Sequence, residues 1–223
     1  MRRRTWNAGL LLLVTTFSLT TFDRPLANAA DGLPPLQKLK DHFAAGRVQI
    51  DKKTGEIALL YDFRIPKQMS DFEIIEGKAV VGKGFLAIEE LGSVKHKARW
   101  KSVKMTCVAK VAEMRGDLMA GNEDVRITTG GLNTDTLYLL GDQVIPPREV
   151  RSGEIPLLLE LDESRATVQW AKSRMTRKIE APKPYQLELH GMKLGCVYTQ
   201  LAIKGVPELD WLNENFDEDD RKK

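Results

Sequence analysis

From Arg47 onward, apolar residues fall in stretches of five to eight that alternate with polar ones and are separated by Gly, Asp, Asn and Pro. A period of two marks half-buried strands, and short connections between them favour antiparallel neighbours. RVQI, the turn DKKTG and EIALLYDF predict a hairpin with Ile57, Leu59, Tyr61 and Phe63 on one face. GKGFLAIEE predicts another strand, in which Phe85 and Ile88 reach either two apolar faces or a bulge. KSVKMTCVAKVA sets Val103, Met105, Cys107, Ala109 and Val111 against Lys104, Thr106 and Lys110, so one face is expected to be wet. Helical spacing is confined to the ends. PPLQKLKDHFAAG carries Leu36, Leu39 and Phe43, opens on prolines and stops at Gly46, whereas VPELDWLNENF offers Leu209, Trp211 and Leu212 on a short helix or turn. About twelve strands with few helices predict an all-β fold, a two-sheet antiparallel β-sandwich with short terminal helices.

The first thirty residues differ in kind. Three arginines precede an apolar run from Leu10 to Phe22, and Ala27, Asn28 and Ala29 follow. This is the pattern of a secretory signal peptide, too short and too rich in threonine for a span of roughly 20 apolar residues. Cleavage near Ala29 is expected to release an exported protein, periplasmic or extracellular, with no membrane span. Removing the four arginines and one aspartate of this leader turns 34 basic and 31 acidic residues into 30 of each. The alkaline balance therefore belongs to the leader, and no basic field argues for nucleic acid. The chain divides into a signal peptide (1–29), a linker with a short helix (30–46), a sandwich domain (47–213) and a charged, flexible tail (214–223). Cys107 and Cys196 form a candidate disulfide, since an oxidising compartment permits one; the other reading is two small buried hydrophobes.

GEIALLYDF, QMSDFEI, GKGFLAI, VKHKARW and the closing PYQLELHGMKLGCVYTQLAIKGVPELDWL, in that order, resemble the concanavalin-like jelly roll, specifically the laminin-G-like domains of exported bacterial proteins. In such domains a strand ending in a glycine-containing turn precedes a strand that closes on a glycine, and a Trp-Leu pair packs back on the sandwich. Tyr185 to His190, Cys196 to Gly205, and Trp211 with Leu212 match that succession. The resemblance implies carbohydrate-binding modules, lectins, glycosidases or keto-disaccharide hydrolases, and a shared fold does not choose among them.

The stretch ELDES tests the catalytic reading. Retaining sandwich glucanases place a nucleophile and a general acid on one strand, with carboxyl groups about 5–5.5 Å apart. Glu160 and Asp162 match the first two acids of that motif, but Arg165 stands where the last is required, and Glu163 falls on the opposite strand face. A hairpin explains the same letters: Leu157, Leu159 and Leu161 share a face, Asp162 to Arg165 turn, and Val168 and Trp170 return to the core. The glycine-rich TTGGLNTD also lacks the Asn-Ser-Gly stretch of the hydrolase-like group.

His42, His96 and His190 show no metal-ligand spacing and read as ordinary residues. The irregular middle, Gly116 to Glu154, contains long loops, where Asp117, Asn122, Asp124, Asn133 and Asp135 could hold a structural calcium ion. Lys95, Lys97, Arg99 and Lys101 alternate along one strand face, a stripe suited to carboxylate or sulfate groups of an anionic glycan; the rival reading is a solvated sheet face. Trp100, Trp170 and Trp211 read as core. The preferred function is a non-catalytic exported module that binds a glycan or other envelope polymer. Sugar hydrolysis and a protein-interaction role in the envelope are the alternatives.

Overall fold

A computed structural model describes residues 33–111, 118–121, 125–129, 136–139, 142–144, 153–179, 184–191 and 195–216. The leader, residues 217–223 and the calcium candidates Asp117, Asn122, Asp124, Asn133 and Asp135 lie outside them. Among the described residues there are fifteen strands, and every pairing between them is antiparallel. No helix among them is long and apolar enough to cross a membrane.

The first layer begins with the predicted hairpin, β1 (Arg47–Ile50) and β2 (Ile57–Tyr61). The 3-10 turn Pro66–Asp71 and β3 (Phe72–Glu76) follow, then the hairpin of β4 (Ala79–Gly82) and β5 (Phe85–Ile88). In β5 the buried pair is Leu86 and Ile88, in ordinary alternation. The expectation that Phe85 and Ile88 share burial is therefore corrected: Phe85 points to the half-exposed side, and no bulge is needed.

β6 (Ser93–Val111), nineteen residues long, organises the rest. Its C-terminal half lies between β15 (Cys196–Pro207) on one edge and β11 (Gly153–Leu161) on the other. The layer continues from β15 to β2 and β1, and from β11 to β12 (Arg165–Trp170) and β13 (Ser173–Lys178). β5 joins the N-terminal end of β15. The N-terminal half of β6 instead lies between β3 and β14 (Tyr185–His190). From β14 the second layer runs through β7 (Leu118–Gly121), β8 (Val125–Thr129), β9 (Thr136–Leu139) and β10 (Asp142–Val144). β8 and β9 lie against β11, β12 and β13 without pairing to them, which closes the sandwich.

Alternation explains the core between the layers. Val103, Met105, Cys107 and Ala109 of β6 are buried with Leu157, Leu159 and Leu161 of β11, and Val125, Ile127 and Leu139 cover them from the other layer. Trp100, Trp170 and Trp211 are all buried. The glycine that closes β15 is a packing requirement: a Cβ on Gly205 would collide with the Ser102 carbonyl oxygen of β6.

Both terminal helices belong to the body. α1 (Leu36–His42) buries Leu39 and leads into buried Phe43; α2 (Leu209–Asn215) buries Trp211 and Leu212 and is followed by buried Phe216. Glu214, Asn215 and Phe216, assigned from the sequence to the flexible tail, are thus part of the packed structure, because the aromatic residue after α2 has a place in the core.

Candidate functional site

One edge of β6 changes partner midway. β3 pairs with Ser93 to His96, where Phe72 stands opposite His96; on the same edge β15 reaches Trp100 with Pro207. Lys97 to Arg99 lie in the gap between them. A strand edge without a neighbour leaves donors and acceptors that must be satisfied another way. The Arg99 carbonyl accepts from the Glu208 N–H at 2.9 Å; on the other edge the β14 register shifts between Gln186 and Glu188, opposite residues 96–98, and within that irregular stretch the Ala98 N–H donates to Nδ1 of His96 at 3.2 Å.

That bond sets the state of His96. With Nδ1 accepting, the ring proton sits on Nε2, which donates to the Tyr61 hydroxyl at 2.9 Å. Tyr61 in turn donates to Oδ2 of Asp71 at 2.8 Å, and both Asp71 oxygens accept the Ala44 N–H at 2.9 and 2.8 Å. The chain joins β6, β2, the 3-10 turn and the segment after α1. Burial brings the His96 pKa down to about 3, and the imidazole is neutral at ordinary pH. Burial also raises Asp71, against the opposing pull of its hydrogen bonds from Ala44 and Tyr61, while Tyr61 is pushed well above its usual value by burial and by Asp71.

The helices fill the gap with rings. Phe43 stacks on His96 at 6.3 Å and on Trp211 at 5.9 Å, and His42 meets Trp211 at 5.4 Å and Phe216 at 5.0 Å. What they leave open is a cleft of about 470 Å³, bordered by His42 and Phe43, by Ser70 and Asp71, by His96 to Arg99, and by Trp211, Glu214 and Asn215. Desolvation by its neighbours lowers the His42 pKa; Asp71 opposes that shift and Lys97 adds to it.

The predicted stripe is real, since Lys95, Lys97, Arg99 and Lys101 share the more exposed face of β6 while Val94, His96, Ala98 and Trp100 are buried. Its four cations are not equivalent. Lys95 approaches Glu73 at 3.9 Å, and Lys101 contacts Glu163 at 2.6 Å. Arg99 is held by Glu208 and by Glu214, the latter at 2.9 Å, and this contact keeps the Glu214 carboxyl below its usual pKa. Lys97 has no carboxylate partner among the described residues. Only Lys97 and Arg99 of the stripe border the cleft.

ELDES forms a hairpin. Leu161 stands opposite Ala166, and the Asp162 N–H donates to the Arg165 carbonyl at 2.9 Å. Asp162 caps the turn by accepting from the N–H groups of Ser164 and Arg165, both at 2.7 Å. Burial raises its pKa, but these bonds and those from the Ser164 hydroxyl and the Arg165 side chain outweigh it and hold the carboxyl low. Glu160 lies on β11 in register with Lys104 and Thr167. Neither acid borders the cleft. Cys107 and Cys196, the candidate disulfide pair, are both buried and stand as free thiols in this structure; burial pushes both up, Cys196 to about 12. Among the described residues no group of three or more His, Cys, Asp or Glu could hold a metal ion.

Sequence reasoning took His42 and His96 for ordinary residues and Trp211 for core, and did not single out Asp71, Glu214 or Asn215. One signal was legible: His96 occupies an inward position between Val94 and Ala98 in a strand of apolar-polar alternation. A polar ring in such a slot needs partners.

No protein-family model and no curated protein matches the chain. Solved structures similar to it include a Crh5 transglycosylase in complex with NAG, at 13% identity, TM-score 0.46, covering 67% of this chain and 83% of that one. The exoplasmic/lumenal domain of VIP36, in a form bound to Ca2+ and Man3GlcNAc, is similar at 11% identity, TM-score 0.47, over 72% of this chain and 90% of that one. The carbohydrate recognition domain of Emp47p is similar at 10% identity, TM-score 0.43, over 64% and 90%. The fold stated above rests on this chain's own strand pairing.

Proposed function

We propose that this is an exported, non-catalytic β-sandwich protein that binds a glycan in the cleft where β6 changes partners. The observation that carries the reading is convergence: hydrogen-bonding and charged side chains from α1, the 3-10 turn, β6 and α2 border one cleft of about 470 Å³ beside a ring cluster. Small-ligand sites commonly measure about 300–1,000 Å³ and combine apolar walls with a few placed polar groups. Ser70, Lys97 and Asn215 supply donors and acceptors for hydroxyl groups, the exposed His42 supplies ring surface, and buried Trp211 backs the wall behind it.

The cleft's acids support binding over hydrolysis. Glycoside hydrolysis uses two carboxyl groups flanking the scissile bond, one as acid and the other as base or nucleophile. Asp71 is 6% exposed and spends its oxygens on Ala44 and Tyr61, while Glu214 is engaged by Arg99. The test is a glycan array covering neutral, uronic-acid and sulfated polymers, followed by NMR titration of the mature chain. Binding with resonance shifts at His42, Lys97 and Trp211 is expected. No binding at millimolar concentration would sink the reading.

A further inference from the structure

We infer that the cleft selects an acidic sugar, one carrying a carboxylate or sulfate group, and that Lys97 is the residue that recognises the charge. The inference rests on the glycan reading of the cleft and narrows it to a ligand class. The stripe supplies the comparison. Four cations share one strand face, yet Arg99 is held by two acids of this chain, Lys101 contacts Glu163 at 2.6 Å, and Lys95 stands 3.9 Å from Glu73. A cation already facing a carboxylate gains little from a ligand's anion, because that anion must displace the resident acid or share the cation with it. Lys97 stands between Lys95 and Arg99, borders the cleft, and has no carboxylate partner among the described residues.

The cleft's acids do not cancel it. Glu214 faces Arg99 at 2.9 Å, and Asp71 is turned inward to Ala44 and Tyr61. A partly enclosed site strengthens a charge pair relative to open water, and an ammonium group accepts either anion as a point charge. Ser70 and Asn215 also border the cleft, and the Ser70 hydroxyl and the Asn215 amide oxygen can hydrogen-bond the remaining hydroxyls, the Asn215 amide nitrogen being engaged by the Trp211 carbonyl at 2.8 Å. The bland reading of Lys97 is a solvated surface lysine, and the two readings separate by experiment.

The mature chain, its Lys97→Gln and Lys97→Arg variants, and a Lys95→Gln control are titrated calorimetrically with three oligosaccharides of one length: neutral gluco-, glucurono- and sulfated gluco-oligosaccharide. At least one acidic series is expected to bind about tenfold or more tighter than the neutral one. Lys97→Gln should abolish that preference, Lys97→Arg should keep most of it, and Lys95→Gln should leave it intact. Which acidic series binds names the group. Equal binding of neutral and acidic sugars, or an acidic preference that survives Lys97→Gln, overturns the inference while leaving the glycan reading in place. No binding in any series overturns both. Unchanged thermal unfolding of Lys97→Gln separates a recognition defect from misfolding.

Discussion

The two halves of β6 are built from similar letters and come to different ends. In the C-terminal half, β11 and β15 pair both edges, and the inward side chains Val103, Met105, Cys107 and Ala109 belong to the apolar core. In the N-terminal half, β14 pairs one edge with a register shift between Gln186 and Glu188, while the other edge passes from β3 to β15 with Lys97 to Arg99 unpaired between them. Where the backbone ladder is continuous, side chains have only to pack. Where it is broken, by the exchange of β3 for β15 on one edge and by a register shift against β14 on the other, a side chain takes up a backbone group, as His96 does for the Ala98 N–H, and that ring brings Tyr61 and Asp71 with it. The lapse leaves room for the cleft.

The contrast predicts different costs of disruption. The largest belongs to the sealed half: Leu159, fully buried and in register with Met105, should lose about 2–5 kcal/mol on change to Ala through lost transfer energy and a residual cavity. Urea unfolding measures this, and a loss under 1 kcal/mol would mean that this half is not packed as described. In the open half, Tyr61→Phe removes the hydroxyl between His96 and Asp71 and leaves a buried ring N–H without its acceptor. The expected loss is about 1–3 kcal/mol by the same measurement. An unchanged midpoint would show the chain of hydrogen bonds to be dispensable.

Acid should reach the open half first. His96 falls from its usual 6.5 to about 3 on folding, so the unfolded chain takes up its proton earlier as pH drops. Stability tied to His96 is therefore complete above about 6.5 and is lost as pH falls toward 3, at a limiting slope of about 1.4 kcal/mol per pH unit. His42, also lowered, adds with the same sign. Asp71 has the opposite sign, because a raised carboxyl binds its proton more firmly in the folded state, and above its usual 3.8 it blunts the slope. His96→Asn, which offers an oxygen to Ala98 but does not titrate, should be less stable at pH 7 and flatter between pH 7 and 4. A slope equal to that of the unaltered chain would assign the acid sensitivity elsewhere.

The same contrast explains what could be read from the letters. Strands, their inward faces and the ELDES hairpin depend on alternation and turn chemistry within a few residues, and Ile57, Leu59, Tyr61 and Phe63 are buried together as the pattern requires. The four-cation stripe was legible for the same reason. Its inequality was not: Glu208 and Glu214 lie more than a hundred positions from Arg99, and nothing local announces that they will meet it. His42, Asp71, His96 and Trp211 converge only because β6 exchanges one neighbour for another, an event of tertiary pairing that leaves no mark on the periodicity of any single segment. The end of the body was misplaced for a related reason. DEDDRKK reads as a solvated tail, and a boundary drawn at 214 gave Glu214, Asn215 and Phe216 to it, although VPELDWLNENF reads as one short helix or turn and α2 carries Phe216 into the core.

The smallest expected effect gives the finest test of the boundary between the halves. Glu214→Gln releases Arg99 from one of its two acids inside the cleft, whereas Glu163→Gln releases Lys101 outside it. Exposed ion pairs of this kind contribute little to folding, so neither change should move the urea midpoint. Their effects on an acidic sugar should differ. Glu214→Gln adds a partly freed cation beside Lys97 and removes a like charge from the ligand's surroundings, which should tighten binding about two- to fivefold at low salt and less at high salt. Glu163→Gln should leave affinity unchanged at any salt concentration. Equal tightening in both variants would mean that the ligand senses the whole stripe as a diffuse field, and the distinction between Lys97 and its three neighbours would be lost.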